Sequence, residues 1–214
     1  DKMRKRILRH LNQRTEMLSG ISHDLRTPLT RMKLQIAFIK DNDLSKKLTE
    51  DINEMEKMLN EYLQFTSSSY IEKDEMFNLS ELIDQIVNKY NNQNIKKDLI
   101  PKAYINGRKN LINRCLNNII DNALKYGNKF EIKLYKENTN LLIMIDDDGP
   151  GITKKEHENV FKPFYKIDKS RAESKSSVGL GLSIASDIVR SHGGNIVLDK
   201  SKMNGLSVKI FLPV

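Results

Sequence analysis

The chain has 214 residues, of which 36 are lysine or arginine and 28 are aspartate or glutamate, giving a formal net charge of +8. This length is enough for one large domain or two small ones. No apolar run approaches the roughly 20 residues that cross a bilayer, and the single cysteine, Cys115, excludes an internal disulfide.

The surplus of positive charge does not indicate nucleic-acid binding. The lysines are scattered along the chain, and the densest run, Lys2 to Arg9, would form one short helix face. Such a face is more often solvated or close to a membrane than part of a nucleic-acid interface. No aromatic side chains suited to base stacking are interleaved with it. We therefore expect no nucleic-acid partner.

A long amphipathic helix is predicted from about Lys2 to Lys40. Its apolar side chains recur on alternating three- and four-residue steps, the seam of a coiled coil, at Leu8, Leu11, Leu18, Leu25, Leu29, Met32, Ile36 and Ile39. His23 lies one step off this seam and should face solvent. Because Pro28 has no backbone N–H to donate, we expect the helix to bend there.

The apolar pattern resumes after a short polar connection, Asp41 to Asp43, at Leu48, Ile52, Met55, Leu59 and Tyr62. Two long amphipathic helices joined by so short a turn form an antiparallel hairpin. One hairpin buries only part of each apolar stripe, so two hairpins should pair as a four-helix bundle. We therefore expect a homodimer.

The second half of the chain has a mixed α/β pattern. Residues 66–75 break the helical periodicity and are typical of a linker, so we expect domains at 1–68 and 77–214 with a linker at 69–76. Cys115 lies in the apolar pattern of a predicted helix and should be a core residue. The predicted elements are a capped helix beginning near Ser80, helices at Lys109 to Lys125 and Leu180 to Ser191, and strands at Phe130 to Tyr135, Leu141 to Ile145, Asn195 to Asp199 and Leu206 to Leu212.

Five short motifs follow one another along the chain. They are Ser22 to Leu29 (SHDLRTPL), Asn118 to Tyr126, Asp147 to Ile152, Phe161 to Phe164 and Gly179 to Leu182. In this order they resemble the phosphoacceptor box, N box, first glycine box, F box and second glycine box of the sensor histidine kinases of two-component systems. One glycine motif is a weak signal, but five motifs in family order are jointly specific.

The resemblance implies a fold as well. It implies an all-α dimerisation hairpin, a four-helix bundle in the dimer, followed by an α/β sandwich ATP-binding domain of the GHKL type. The run Ser22 to Arg31 (SHDLRTPLTR) is similar to the EnvZ-like osmolarity-sensor type of the family.

The N box suggests a metal and phosphate site. Asn118 and Asn122 are one helical turn apart and share a face, and an amide oxygen is a suitable ligand for Mg²⁺. By resemblance, Asn122 coordinates the metal and Asn118 supports it, while Lys125 and Tyr126 lie near the phosphates and ribose of ATP. The alternative is a plain polar helix face.

The first glycine box suggests an adenine site. Asp147 ends a predicted buried strand, and its match in the family accepts a hydrogen bond from the adenine amine. Gly149 and Gly151 would let the backbone approach the base without a Cβ clash. An acidic strand end is equally compatible with calcium binding or a simple turn. The later Gly179, which precedes a helix whose N-terminal amides can bind phosphate, favours a nucleotide.

The resemblance adds the rest of the nucleotide site. It implies contacts from Ile152, Lys166, Arg171, Val178, Leu180, Gly181 and Leu182, with Arg171 as a candidate γ-phosphate contact. Phe161 and Phe164 would anchor a flexible lid. Ser177 and Val178 stand where the family commonly has a glycine and a small hydroxylated residue, which should restrict the lid hinge and remove a phosphate donor.

The phosphoacceptor box implies the chemistry. His23 would attack the γ-phosphorus of ATP, and Asp24 would orient its ring or accept its proton. The phosphoryl group would pass to an aspartate of a response regulator, for which an OmpR-like receiver domain is expected. Thr27, one turn beyond His23, matches a position associated with phosphatase activity; alternatively it tunes the helix before Pro28.

The expected location is the cytoplasmic portion of an inner-membrane sensor protein. No signal peptide is recognisable, and the chain opens within a helical pattern, so we expect a fragment. The family resemblance implies a membrane sensor upstream, and this part would meet the membrane only through it.

Two other functions stay open. A GHKL ATPase of another type, such as a chaperone or a topoisomerase subunit, would explain the second half of the chain but leave the His23 motif unused. A non-catalytic scaffold or phosphatase-only protein would not need the intact Asn122, Asp147 and glycine segments.

Overall fold

The computed structural model describes residues 24–39, 42–67, 72–90, 94–167 and 179–214. Internal contacts divide the chain into two units, Asp1–Tyr70 and Ile71–Val214. Across the described ranges, none of the helices is both long and apolar enough to span a bilayer.

The first unit is a helical hairpin. Helix α1 is described over residues 24–36, and helix α2 runs from Asn42–Ser67. The buried cluster of the hairpin consists of Leu29, Ile36 and Ile52. Lys33 Nζ on α1 lies 2.7 Å from Glu56 Oε2 on α2. Both helices therefore turn the predicted apolar seam toward each other, which confirms the predicted hairpin.

Helix α1 ends earlier than its apolar pattern suggests. The predicted helix reached about Lys40, whereas the structure ends it at residue 36. The N–H groups of Phe38 and Ile39 donate to the carbonyls of Gln35 and Ile36 at 3.2 and 2.9 Å, a tightening typical of a helix end. The predicted bend at Pro28 does not interrupt the helix, which is continuous from 24 to 36.

The second unit is built on a five-stranded sheet of order β2-β4-β5-β7-β6 and a two-stranded ribbon, β1-β3. Strands β2 and β4 are parallel, and the other neighbours are antiparallel. The strands are β1 Glu75–Asn78, β2 Ile95–Leu99, β3 Tyr104–Gly107, β4 Phe130–Glu137, β5 Asn140–Asp147, β6 Asn195–Lys200 and β7 Leu206–Pro213. The helices are α3 Leu79–Lys89, α4 Lys109–Tyr126 and α5 Gly181–Ser191.

Helices α4 and α5 pack against each other and against the sheet. Alternate residues of β4, including Phe130, Ile132 and Leu134, are buried against them, because side chains of a strand point to opposite faces. Cys115, a predicted core residue, is 1% exposed on α4. The predicted α/β sandwich is thus the observed fold.

Helix α3 is capped two residues earlier than Ser80. The Oδ1 atom of Asn78 accepts from the backbone N–H of Ser80 at 3.1 Å, as an N-cap side chain does. The hydroxyl of Ser80 instead donates to the Ile100 carbonyl at 2.6 Å. Glu75 and Met76, assigned to the linker from the sequence, belong to strand β1.

A side chain distant in sequence caps helix α4. Its own N-cap residue, Arg108, provides no side-chain cap. Instead, the carboxylate of Glu72 accepts from the backbone N–H groups of Asn110 and Leu111 at 2.7 and 3.3 Å. A negative charge at a helix N-terminus also interacts favourably with the helix dipole, so Glu72 ties residues 72–74 to α4.

A neutral histidine joins the start of α4 to the end of α5. The Nε2 atom of His192 accepts from the backbone N–H of Arg108 at 3.0 Å, and its Nδ1 lies 2.7 Å from the Ile188 carbonyl. The proton therefore resides on Nδ1. Burial lowers the pKa of His192, with the Arg108 charge acting in the same direction; the Ile188 hydrogen bond, Asp74 and Glu72 oppose it.

This arrangement predicts a loss of stability in mild acid. The folded protein keeps His192 neutral, whereas the unfolded chain protonates it near the ordinary pKa of about 6.5. As the pH falls below that value, the free energy of unfolding should drop until the folded-state pKa is reached, by no more than about 1.4 kcal/mol per pH unit for one proton. Denaturant titrations between about pH 7 and pH 5.5 give the free energy of unfolding at each pH. Its dependence on pH should be weaker in His192→Leu than in the wild type. Parallel slopes would contradict the assignment.

Candidate nucleotide-binding site

Asp147 ends strand β5 and is 6% exposed. Its Oδ1 atom accepts from the backbone N–H groups of Gly149 and Leu206 at 2.8 and 3.0 Å, while Oδ2 accepts no hydrogen bond from the described residues. Burial raises the pKa of Asp147, and the two backbone donors oppose this rise. One carboxylate oxygen is thus fixed by the fold, and the other is left to accept a hydrogen bond from a ligand.

The turn between β6 and β7 packs directly against Asp147. A Cβ placed on Gly205 would lie 2.3 Å from both the carbonyl oxygen and Oδ1 of Asp147. A side chain there would collide with the carboxylate or its backbone, so only glycine fits. Gly205 and Leu206 therefore hold Asp147 in place, a role that the sequence motifs did not reveal because these residues lie almost 60 positions further along the chain.

Helix α4 places the N-box residues Asn118 and Asn122 next to the start of α5. A Cβ placed on Gly181 would lie 3.4 Å from Asn122 Nδ2 and 3.8 Å from the Asn118 carbonyl. The N box and the second glycine box, more than 50 residues apart in sequence, are therefore neighbours. This is the arrangement that a phosphate and metal site needs: amide side chains beside a helix N-terminus.

One of these asparagines has an unused hydrogen-bonding group. Within the described part of the chain, Nδ2 of Asn118 is buried and has no hydrogen-bond partner. A buried amide without a partner costs stability unless a ligand or water satisfies it. This observation fits a polar ligand between α4 and α5, as the resemblance implied for ATP and its Mg²⁺.

Lys125 and Tyr126 occupy the end of α4. Lys125 Nζ lies 5.5 Å from the centre of the Tyr126 ring, within the range of a cation–π interaction. The Tyr126 carbonyl would be 3.0 Å from a Cβ on Gly149. The last turn of the N box thus borders the first glycine box, and both predicted ligand residues stand beside the segment that carries Asp147.

The backbone at Gly179 contacts the backbone of Phe164 and Tyr165. Gly179 has φ of +78°, and a Cβ there would lie 2.9 Å from the Tyr165 carbonyl. The Gly179 carbonyl also accepts from the Phe164 N–H at 3.0 Å. Phe164 itself is 57% exposed. The F box and the second glycine box therefore meet through their backbones.

The remaining predicted residues differ in what they can offer a ligand. Leu180 is fully buried, so it can contribute only through its main chain. The Ile152 carbonyl lies 3.2 Å from His157 Nε2. Gly151 has φ of +70°, and Lys166 and Leu182 are half-buried.

The other residues predicted to take part belong to the first unit or lie outside the described residues. Asp24 and Thr27 are exposed residues of α1 in the first unit. His23, Arg171, Ser177 and Val178 lie outside the described residues, so their assigned roles stay predictions.

Two family models match the chain. The model described as "Histidine kinase-, DNA gyrase B-, and HSP90-like ATPase" matches residues 107–214, which hold Asn118, Asn122, Asp147 and Gly181. The model described as "His Kinase A (phospho-acceptor) domain" matches residues 13–70.

Known proteins similar to this chain agree with both models. The sensor histidine kinase GtrS of Pseudomonas aeruginosa is 33% identical over 214 residues, covering 99% of this chain and 44% of GtrS. The sensor histidine kinase CpxA of Escherichia coli is 30% identical over 224 residues, covering 96% of this chain and 48% of CpxA. The chain thus spans less than half the length of these relatives.

A solved structure shares the fold. Full-length ShkA in complex with AMPPNP aligns with a TM-score of 0.71 at 18% identity, over 92% of this chain and 45% of ShkA. The EnvZ-like type expected from the first motif fits the relatives. With a phosphoacceptor hairpin, a GHKL ATPase unit and relatives matched along almost its whole length, this chain belongs to the sensor histidine kinase family.

Proposed function

We propose that this chain is the kinase core of a two-component sensor: it binds ATP in its second unit, phosphorylates His23 and passes the phosphoryl group to an aspartate of a response regulator. The observation that carries this proposal is the meeting of two distant motifs, Asn118 and Asn122 beside Gly181, together with the buried, unpartnered amide of Asn118. The first unit carries a phosphoacceptor motif that an ATPase of another type does not need.

Two groups of residues would hold ATP, one at the adenine and the other at the phosphates. Asp147 Oδ2 would accept from the adenine amine, which provides the donor that this oxygen lacks among the described residues. Asn118, Lys125 and the α5 N-terminus at Gly181 would meet the phosphates. The AMPPNP complex of ShkA, a structure of the same fold, supports a nucleotide in this unit.

Phosphoryl transfer would then depend on positioning and charge. When bound, Mg²⁺ held by Asn122 would offset the phosphate charge. His23 would supply the nitrogen that attacks the γ-phosphorus while the bond from that phosphorus to the bridging oxygen breaks and ADP leaves, and the Asp24 carboxylate would orient the imidazole or take its proton. The product, a phosphohistidine next to the exposed residue Asp24 in the sequence, would be open to a regulator's aspartate.

We propose a homodimer as the working form, because part of the described seam of α1 stays exposed within one chain. Leu29 and Ile36 are buried between α1 and α2, whereas Leu25 and Met32 on the same seam are each 46% exposed. A second hairpin would cover them.

The dimer proposal predicts a change in assembly. The chain should sediment as a dimer at micromolar concentration, and the double substitution Leu25→Asp/Met32→Asp should give a monomer, because two charges would be buried in the bundle. The matched control is Leu34→Asp, which places the same charge off the seam on a residue that is 64% exposed. A monomeric wild type, or a mutant that stays dimeric, would refute the proposal.

A phosphatase role for Thr27 is the finer part of the proposal. Thr27 is exposed on α1, one turn beyond His23, so its hydroxyl would hold a water for in-line attack on a regulator's aspartyl phosphate. We expect Thr27→Ala to slow regulator dephosphorylation more than it slows His23 phosphorylation. Time courses of phosphorylated regulator would decide it, and equal decay with mutant and wild type would leave Thr27 a structural role.

We expect the regulator to carry an OmpR-like receiver domain. We also propose that this core lies in the cytoplasm and that only an upstream sensor part would reach the membrane. The proposal accords with the greater length of GtrS and CpxA.

One assay separates the candidate functions. After incubation with Mg²⁺ and labelled ATP, acid-labile and alkali-stable label on the chain indicates phosphohistidine. ATP hydrolysis without label favours another GHKL ATPase, and neither label nor hydrolysis favours a scaffold.

A further inference from the structure

The short turn between the N-box helix and the sheet is held by a single carboxylate. Three residues, Gly127 to Lys129, separate α4 from β4. The backbone N–H groups of Asn128 and Lys129 both donate to Asp148 Oδ1, at 2.7 and 2.9 Å. The Asp148 N–H in turn donates to the Lys129 carbonyl at 3.2 Å.

The turn and the glycine box are also in close van der Waals contact. A Cβ placed on Gly127 would lie 2.7 Å from Asp148 Oδ1, and one placed on Gly149 would lie 3.0 Å from the Tyr126 carbonyl. The end of α4 therefore runs along the segment from Asp147 to Gly149 with no room for an intervening side chain.

The adjacent acids Asp147 and Asp148 have opposite electrostatic environments. Burial raises the pKa of Asp147, whereas the backbone donors of Lys129 and Asn128 lower the pKa of Asp148. Asp148 accordingly favours its ionised form and directs its Oδ1 to the turn, while Asp147 accepts backbone hydrogen bonds through Oδ1 only.

We propose that Asp148 is a positioning residue of the nucleotide site: by fixing the turn after α4, it sets Lys125 and Tyr126 against Asp147. The inference rests on the proposed function, since it assigns a role in ATP binding. Two consecutive N–H groups in so short a turn need an acceptor, and Oδ1 of Asp148 meets both. Without it the last turn of α4 can shift, and misplacement by about 1 Å is enough to weaken a site strongly.

Two substitutions of Asp148 separate its role as a hydrogen-bond acceptor from the effect of its charge. Asp148→Asn keeps an oxygen at the same place and removes the charge, whereas Asp148→Ala removes the acceptor. We expect D148A to raise the Kd for Mg·ATP and the KM for ATP in autophosphorylation about tenfold, with a smaller change in kcat. D148N should stay within about threefold of the wild type.

The experiment uses the full chain and calorimetric titration with Mg·ATP. The matched control is Asp98→Ala, which removes an exposed carboxylate from the edge strand β2 and should leave the Kd unchanged. If D148A does not fold, D148S, whose shorter side chain cannot reach both N–H groups, replaces it with the same expected loss.

Two results would overturn the inference. Wild-type affinity in D148A, or in D148S where it replaces D148A, would show that the turn needs no acceptor for binding, and a loss in D148N as large as in D148A would show that charge, not the acceptor, matters. A wild type that binds no Mg·ATP would instead overturn the proposed function and the positioning role with it. Tight wild-type binding with an unaffected D148A removes only the positioning role.

Discussion

Replacing His23 by glutamine is expected to abolish the labelling of the chain by ATP while Mg·ATP still binds. Glutamine has a size similar to that of histidine but offers no nucleophilic nitrogen, so no phosphoramidate bond can form. The candidate nucleotide site, with Asp147 and Asn122, belongs to the second unit, so the substitution leaves those residues unchanged. The measurement is autophosphorylation with labelled ATP, paired with calorimetric titration of Mg·ATP.

The His23 prediction has a matched control upstream in the same sequence pattern. His10→Gln changes the same residue type outside the phosphoacceptor motif and should keep wild-type labelling. Acid-labile phosphate retained in His23→Gln would move the acceptor to another residue and exclude the proposed mechanism. Loss of ATP binding in the mutant would show that the substitution disturbs more than the nucleophile.

The elements that the sequence predicted well are those with a strong period. Helices α4 and α5 carry apolar residues at helical spacing, β4 alternates apolar and charged residues, and β5 is an apolar run. Their predicted bounds agree with the structure within about two residues. The turn between β6 and β7 contains the pair Asn204-Gly205, which is typical of hairpin turns, and Asn204 takes a φ of +72°.

The elements that escaped prediction are short and lack a period. Strand β2 consists of Ile95–Leu99, with three charged residues between its apolar ends. It forms because it pairs with β4 in parallel at the edge of the sheet. Strands β1 and β3 have four residues each and stabilise one another. Their pairing partners lie about 30 residues away, so no local pattern could reveal them.

The same distinction applies to the residues of the candidate site. Asn118, Asn122 and Asp147 were found because each belongs to a motif of fixed spacing. Gly205 and Leu206 were not, since their contact with Asp147 follows from the antiparallel pairing of β5 with β7. Asp148 lies in the first glycine box, and the motif assigns it no role, although an aspartate after a strand and before a glycine is a common acceptor for nearby backbone N–H groups.

Replacing Asn122 by alanine is expected to weaken Mg²⁺-dependent ATP binding by on the order of 100-fold, about 3 kcal/mol. Alanine removes the amide oxygen that we assign to the metal, and Mg²⁺ takes few protein ligands, so each one matters. Asn122 faces the start of α5, with Nδ2 3.4 Å from a Cβ position on Gly181. Calorimetry with ATP in the presence and absence of Mg²⁺ measures the effect, and the affinity without metal should change much less.

Two further variants make the Asn122 prediction specific. Asn122→Asp keeps an oxygen ligand at the same distance along the side chain and should retain most of the Mg²⁺ dependence. Asn117→Ala removes the same residue type from the same helix, but Asn117 donates to the Asn113 carbonyl at 2.7 Å and lies within 3.3 Å of the Tyr90 hydroxyl, so its loss should leave the metal effect intact. If Asn122→Ala binds Mg·ATP as tightly as the wild type, the metal ligand must be sought elsewhere. Equal losses in Asn117→Ala and Asn122→Ala would point to a general weakening of α4 rather than to a lost ligand.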